Sequence, residues 1–167
     1  MVIQVEFYLN TYTRDVDVSN ALNRFSYGGH VSDLASALRL VRTRVFTASN
    51  GARRGDPRVA RLTVIFCVSR PTNVSGVLAE SSTIRKAGVG IVTVGIGTGT
   101  DLYLLSAVAS YPHQRTMFHV ERVSRMSTIS ERIKRLVCRG IVYSASHFFT
   151  SLCNLFYVFA VCLRPIA

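Results

Sequence analysis

The sequence predicts an α/β fold, a doubly wound and mostly parallel sheet with helices on both faces. Two apolar runs, residues 62–68 and 89–96, are nearly continuous instead of alternating, which is typical of strands that are covered on both faces. The intervening residues 73–86 are predicted to form a helix, which makes a strand-helix-strand unit. Such alternation of strands and helices favours a parallel sheet.

The N-terminal part predicts a strand and a short helix. Residues 2–9 are rich in β-branched and aromatic side chains, which suit a pleated strand. Residues 14–25 place Val18, Leu22 and Phe25 on one helical stripe, and the Gly28-Gly29 pair is expected to end that helix.

A second helix is predicted to begin at a cap, Ser32 or Asp33, and to run to about Phe46. Its apolar residues keep helical spacing: Leu34, Ala37, Leu38, Val41 and Val45. The turn-forming residues 48–57 then predict an exposed loop.

The remaining elements complete the alternation. Thr100 or Asp101 is expected to cap a helix that stops near Tyr111-Pro112, and residues 117–120 predict a short strand. Residues 127–137 predict an amphipathic helix, whose buried stripe comprises Ile129, Ile133, Leu136 and Val137.

Composition describes an apolar and basic chain. Its 167 residues suit a single domain plus extensions, and 49% of them are hydrophobic. The formal net charge is +11, which predicts attraction to acidic polymers. The arginines are not interleaved with aromatic residues and form no known nucleic-acid motif, so specific nucleic-acid binding is not predicted.

Cysteine and histidine spacing indicates no metal or redox chemistry. Cys67, Cys138, Cys153 and Cys162 form no C-x-x-C pair and have no histidine at zinc-site spacing. The four histidines are scattered, without a helix-spaced ligand pair or a catalytic triad arrangement. The N-terminus lacks the pattern of a secretory signal, so the chain is expected to be cytosolic or to lack its true start.

Several phrases occur in a characteristic order: VEFYLNTY, YGGHVSDLASALRLVRTRVFTASNGARRG, PRVARLTVIF and RKAGVGIVTVGIG. Over residues 2–138 the chain resembles a von Willebrand factor type A domain of the kind found in matrix collagens, matrilins and integrin α chains. The resemblance implies a secreted, non-enzymatic module that binds extracellular-matrix or cell-surface proteins.

The resemblance also implies that the family's metal-dependent adhesion site is degenerate. That site takes ligands from three loops, and the first of them, Asp-x-Ser-x-Ser, would lie before Met1. The threonine of the second loop corresponds to Val31, and the aspartate of the third corresponds to Val68. Magnesium needs oxygen ligands, so no metal and no cofactor are expected. The residues left to shape a contact surface are Gly28, Gly29, His30, Ser32, Asp33, Ser69 and Arg70.

The missing first strand also has a structural implication, because in the family it lies at the centre of the sheet. A sheet without it is expected to have an open edge and therefore to aggregate or to need a partner strand.

Two other local patterns suggest alternatives. Residues 95–100 loosely imitate a dinucleotide-binding turn, with Glu121 near the end of the next strand, which would suit a nucleotide-dependent enzyme. Thr100 replaces the third glycine of that pattern, so the family's ordinary strand end is the favoured interpretation. Asn73-Val74-Ser75 is a candidate glycosylation acceptor if the chain is secreted.

The domain is predicted to span residues 1–138, followed by a hydrophobic tail, 139–167. Residues 140–163 are uncharged, and as a helix rising about 1.5 Å per residue they would cross a bilayer core of about 30 Å. This predicts a candidate membrane anchor and, as an alternative, a membrane-anchored interaction protein. Polar residues weaken its first half, and the basic residues before it favour a cytoplasmic domain, which conflicts with an extracellular module. A translated non-coding extension would also account for the tail.

Overall fold

A computed structural model describes residue 3 and residues 5–24, 33–53, 55–56, 59–139 and 156–162, with only the backbone for 137–139 and 156–162. Along the chain the helices are α1 (Asp15–Asn23), α2 (Leu34–Leu40), α3 (Val74–Lys86), α4 (Leu102–Val108), α5 (His113–Thr116) and α6 (Met126–Arg139). The strands are β1 (Arg61–Cys67), β2 (Val89–Ile96), β3 (Met117–Val120) and β4 (Phe156–Cys162).

The sheet is parallel throughout the described residues, in the order β3-β2-β1-β4. β1 pairs with β2 from Arg61 opposite Val89 to Cys67 opposite Gly95. β3 pairs with the second half of β2, with Thr93 opposite Met117. The strand-helix-strand unit predicted from the sequence is therefore confirmed, and β1 lies inside the sheet.

Apolar residues cover both faces of the sheet, as the continuous runs predicted. On one face, Ile65 and Ile91 pack with buried residues of α2, α3 and α4. On the other face, Val64 and Val92 pack with Ile129 of α6. β1 and β2 each supply both clusters in alternation, so that residues 62–65 are all buried. The predicted arrangement with helices on both faces is confirmed.

Aspartate or asparagine side chains cap the starts of α2, α3 and α4, and the cap of α4 is described with the candidate site below. Oδ1 of Asp33 accepts a hydrogen bond from the Ser36 amide at 3.0 Å, at the start of α2. Asn73 caps α3 through the Gly76 amide at 2.9 Å. These bonds satisfy amide groups that have no partner within the helix. Of the two residues that the sequence offered as a cap for α2, the structure uses Asp33.

The second predicted helix is present over its predicted length, but its last turn is π-helical instead of α-helical. α2 ends at Leu40 and continues as one π-helical turn, Val41–Val45. At its end, the Phe46 amide donates a hydrogen bond to the Val41 carbonyl at 3.0 Å. Val41, Val45 and Phe46 are all buried against the sheet. The wider turn therefore accompanies the burial of the three apolar side chains at the end of the helix.

An ion cluster joins α2 and its π-helical turn to α3. Glu80 accepts from Nε of Arg39 at 3.0 Å and from Nε of Arg42 at 3.1 Å. Its side chain is only 13% exposed, and the hydrogen bond from Arg42 is the largest of the effects that lower its pKa. The two arginines thus connect α2 and its π-helical turn to α3 through one carboxylate, although the Arg39 side chain is largely exposed.

The predicted strand at residues 2–9 is wrong over the residues that the structure describes, which form no strand there. The chain turns instead, with the Tyr8 amide donating to Thr11 Oγ1 at 2.9 Å and the Thr11 amide to the Tyr8 carbonyl at 3.2 Å. Leu9 is buried in the core, and Val5 packs against it. Leu9 therefore anchors this segment in the core, and a strand here would have needed a neighbour for pairing.

The tail contains a strand in place of part of the predicted anchor helix. β4 pairs with β1 along its whole length, from Arg61 opposite Phe156 to Cys67 opposite Cys162. The edge of β1 that was expected to be open is thus paired, because the chain's own C-terminal segment lies beside it. None of the helices in the described ranges has the length and apolar character that crossing a membrane requires.

Candidate functional site

The carboxyl ends of β1 and β2 lie at one edge of the sheet, because the two strands are parallel. Val68, Ser69 and Arg70 follow β1 at this edge, and residues 97–101 follow β2. In open α/β sheets this edge is where ligands usually bind. It is also the edge where the resemblance places the family's adhesion site.

An ion pair connects the two loops at this edge. Arg70 approaches the carboxylate of Asp101 through Nε at 2.8 Å and through Nη2 at 2.7 Å, both to Oδ2. The other oxygen, Oδ1, accepts from the Leu104 amide at 3.0 Å and so caps α4. Both carboxylate oxygens of Asp101 are therefore engaged.

The pKa of Asp101 is lowered, first by the hydrogen bond from the Leu104 amide and further by that from Arg70, while burial opposes the shift. The Asp101 side chain is 13% exposed, whereas that of Arg70 is 72% exposed. The guanidinium thus lies at the surface with its charge partly balanced by a carboxylate beneath it.

Backbone contacts hold the turn after β2. The Gly97 amide donates to the Val120 carbonyl at 2.8 Å, and the Gly97 carbonyl lies 3.0 Å from Nε2 of His119. A Cβ at Gly99 would lie 3.3 Å from the Val68 carbonyl oxygen, so the turn packs closely against the loop after β1. The family's strand end and turn explain the glycines here without a ligand.

This geometry disfavours the dinucleotide alternative. A pyrophosphate in such a site binds the amides at the start of the following helix. At α4 the carboxylate of Asp101 already accepts from the Leu104 amide. Its negative charge would repel a phosphate at the same place.

The described residues at the carboxyl edge do not form a set of oxygen ligands that would suit a divalent cation. Val68, at the position that the resemblance assigns to the metal-binding aspartate, offers no side-chain oxygen, and Ser69 beside it is buried. The carboxylates of Asp33 and Asp101 accept amide hydrogen bonds as helix caps, and Arg70 brings a positive charge. Among the described residues, no three His, Cys, Asp or Glu side chains are grouped as metal ligands would be.

The structure brings together only part of the predicted contact surface. Ser69 and Arg70 lie in the loop after β1, and Asp33 begins α2. The predicted residues Gly28, Gly29, His30, Val31 and Ser32 lie outside the described residues. The sequence marked Asp101 only as a helix cap, and its pairing with Arg70 across 31 positions was missed, because no local pattern signals it.

The candidate glycosylation residue is exposed. Asn73 lies before α3, and its Oδ1 is the helix cap described above. Nδ2 of Asn73 lies close to Gly76, since a Cβ at that glycine would be 2.5 Å from it. The side chain is thus at the surface but already has a structural role.

Comparison with known proteins agrees with the fold and the order of its elements. The family model described as von Willebrand factor type A domain matches residues 2–132. Among curated relatives, mouse matrilin-2 is 27% identical over 83% of this chain and 14% of that protein, and chicken matrilin-1 is 24% identical over 81% and 27%. Bovine cochlin is 30% identical over 68% of this chain and 18% of that protein.

The chain spans well under a third of the length of these relatives. Among solved structures, proximal thread matrix protein 1 from the mussel byssus, with a zinc-occupied MIDAS motif, has a TM-score of 0.68 at 26% identity, over 80% of this chain and 31% of that one. A second crystal form reaches a TM-score of 0.73 at 19% identity, over 81% and 34%, which bears on the fold alone. With its parallel sheet, its helices on both faces and the family match over most of its length, this chain belongs to the von Willebrand factor type A domain family.

Proposed function

We propose that this chain is a non-enzymatic protein-binding module of the extracellular-matrix type, in which the family's metal site is degenerate. The observation that supports it is the composition of the carboxyl edge, where Val68 offers no side-chain oxygen to a cation and the carboxylate of Asp101 is already paired with Arg70. The matrilins and cochlin, which are similar over most of this chain, support a role in the matrix.

Binding without a metal ion follows from the charge at this edge. A divalent cation binds oxygen ligands, carboxylates among them, so a complete family site would offer an acidic group of a partner a metal ion to bind. Here the exposed guanidinium of Arg70 carries positive charge to the surface beside Ser69. A guanidinium pairs well with carboxylates. Arg70 thus offers an acidic partner a direct ion pair, and the proposed face includes Asp33 and residues 28–32.

The wider charge supports acidic partners. With a net charge of +11, the chain attracts acidic polymers such as sulfated polysaccharides at low salt. This attraction weakens as the Debye length falls, from about 10 Å at 0.1 M salt to about 3 Å at 1 M. We therefore propose that the net positive charge raises the rate of encounter with acidic partners. The face at the carboxyl edge would then determine which partner is bound.

Secretion is part of the same proposal, because the matrilin and cochlin relatives are extracellular-matrix proteins. Asn73 is then available to the glycosylation machinery at an exposed position. Expression through the secretory pathway of cultured cells should give a glycan-sized mass increase that Asn73→Gln removes. Secreted protein of unmodified mass would count against the modification at Asn73.

The central experiment measures binding of the full chain to immobilised collagen VI and matrilin-1, in magnesium and in EDTA. We expect equal affinities in the two buffers and several-fold weaker binding by Arg70→Ala. Arg115→Ala is the matched control, since Arg115 is also exposed but lies just before β3, at the opposite edge of the sheet. Binding that EDTA abolishes would overturn the metal-free site.

The enzyme alternative has its own test. Titration of the chain with NAD and FAD, followed by fluorescence, should give no saturable change because Asp101 occupies the start of α4. Saturable binding that Asp101→Asn strengthens would favour the nucleotide-dependent interpretation over the adhesion module.

A further inference from the structure

The tail strand lies against a strand whose both faces are buried. β4 runs parallel to β1 on the side away from β2, and all seven residues of each strand are in register. On β1, residues 62–65 are fully buried and Cys67 is buried at the carboxyl end. A strand covered on both faces belongs to the interior of a sheet.

The sequence of β4, which is the outermost described strand of the sheet, resembles those of β1 and β2. Its residues, FYVFAVC, include aromatic and β-branched types and contain no charge, proline or glycine. They form a continuous apolar run like those of β1 and β2, which is typical of strands in a parallel sheet that is covered on both faces. The run also coincides with the most apolar part of the tail.

The connection to β4 is long enough for a parallel crossover. β3 ends at Val120 and β4 begins at Phe156, so the chain between these two parallel strands is 121–155 and includes α6. Parallel strands require a connection of a dozen or more residues. α2 approaches β4 as well, which places the strand beneath the same helical layer that covers β1.

We propose that residues 156–162 form a strand that belongs to this domain and extends its sheet beyond β1, and that they are not a membrane anchor. The domain then extends to Cys162, and the predicted boundary at 138 divides a single folding unit. Pairing along β1 satisfies backbone groups that would otherwise form an open edge. Packing of residues 156–162 into the domain would also account for their hydrophobic composition.

The first test is hydrogen exchange on the unmodified full chain in buffer without detergent, with and without phosphatidylcholine vesicles. We expect slow exchange at residues 156–162 without vesicles, at rates similar to those of β1, because both strands open together. Fast exchange in buffer and protection only with vesicles would overturn the proposal in favour of an anchor.

The second test compares two equally polar substitutions in the tail. Val158 lies opposite Thr63 in the middle of β4, whereas Ile166 follows the strand. We expect Val158→Asp to accelerate exchange of β1 amides by at least about ten-fold and Ile166→Asp to leave it unchanged. The amides of β3 provide the internal reference, because β3 contacts β2 and not β4.

The exchange rates of β1 in the two variants distinguish a strand of this domain from a tail that does not pair with β1. Acceleration of β1 with β3 still protected supports the strand, and so does loss of protection throughout the sheet if Ile166→Asp remains protected. Unchanged β1 exchange in Val158→Asp would overturn the proposal. These results do not depend on matrix binding, so a failure here leaves the proposed adhesion role intact.

Discussion

The carboxylate of Asp101 joins two functions at the carboxyl edge of the sheet, because Oδ2 pairs with Arg70 and Oδ1 caps α4. Arg70 follows β1 and Asp101 follows β2, so the pair locks together the loops of neighbouring strands. The residue that caps α4 thus also determines the position of the exposed guanidinium of Arg70. The charge available to a partner depends on this contact.

Separate substitutions at Asp101 should distinguish its two roles. Asp101→Ala removes cap and ion pair, and we expect it to lower the free energy of unfolding by about 1 kcal/mol or somewhat more. Asparagine also caps helices well, so Asp101→Asn should lose only the ion pair, between about 0 and 1 kcal/mol for a pair with one exposed member. Urea denaturation measures both. Equal losses would show that the cap contributes nothing.

Stability should fall in acid, in part through Glu80. Its pKa is lowered in the folded state, chiefly by the hydrogen bond from Arg42. The stabilisation is therefore fully present above the unfolded pKa of about 4.3 and is lost as the pH falls through the folded value. Glu80→Gln should be less stable than the parent at pH 7, and its stability should decline less between pH 5 and pH 3.

Thermal unfolding across that pH range measures the effect. The partly exposed positions of Arg39 and Arg42 mean that added salt should reduce the difference at pH 7. If Glu80→Gln showed the same acid-induced loss as the parent, the titration of this carboxylate would not contribute to the pH dependence.

Two buried threonines on neighbouring strands should respond oppositely to removal of the hydroxyl. Within the described part of the chain, Oγ1 of Thr63 has no hydrogen-bond partner, whereas Oγ1 of Thr93 donates to the Leu105 carbonyl at 3.1 Å. Both side chains are fully buried. Thr63→Val should therefore raise the free energy of unfolding by about 1 kcal/mol, and Thr93→Val should lower it by about 1 kcal/mol or more.

Chemical denaturation of the two variants side by side checks this prediction. A loss of stability in Thr63→Val as large as that in Thr93→Val would mean that the Thr63 hydroxyl has a partner after all.

Two glycines with the same backbone conformation test the docking of the N-terminal segment. Gly51 and Gly55 both have a φ of +91°, which costs any other residue about 1–2 kcal/mol. At Gly51 a Cβ would also lie 2.9 Å from the Asn10 amide nitrogen, while at Gly55 it would meet nothing within 4 Å. Gly51→Ala should therefore be less stable than Gly55→Ala by a further 1–3 kcal/mol or so.

Urea denaturation of the two alanine variants gives the comparison, and the conformational cost cancels between them. Equal stabilities would indicate that residues 9–10 move away from Gly51 at little cost. That outcome would argue against a fixed position for the N-terminal segment.

The sequence by itself determined the elements whose signals are local. The continuous runs of β1 and β2 and the period of α6 appear in the structure within one or two residues of their predicted bounds. Asp33 and Asp101 also act as the caps that their positions suggested, since a cap bonds to an amide only three residues away. These features depend on near neighbours along the chain.

Only the tertiary structure decided features that join distant residues. The apolar segment 2–9 reads as a strand, but its Leu9 packs into the core and no strand forms among its described residues. β4, which unlike residues 2–9 contains no charged residue, forms a strand by pairing in register with β1. Arg70 finds Asp101 because parallel strands end at one edge. A backbone hydrogen bond between strands or an ion pair forms only when the fold brings two distant residues together. The periodicity of the sequence does not indicate which distant residues these are.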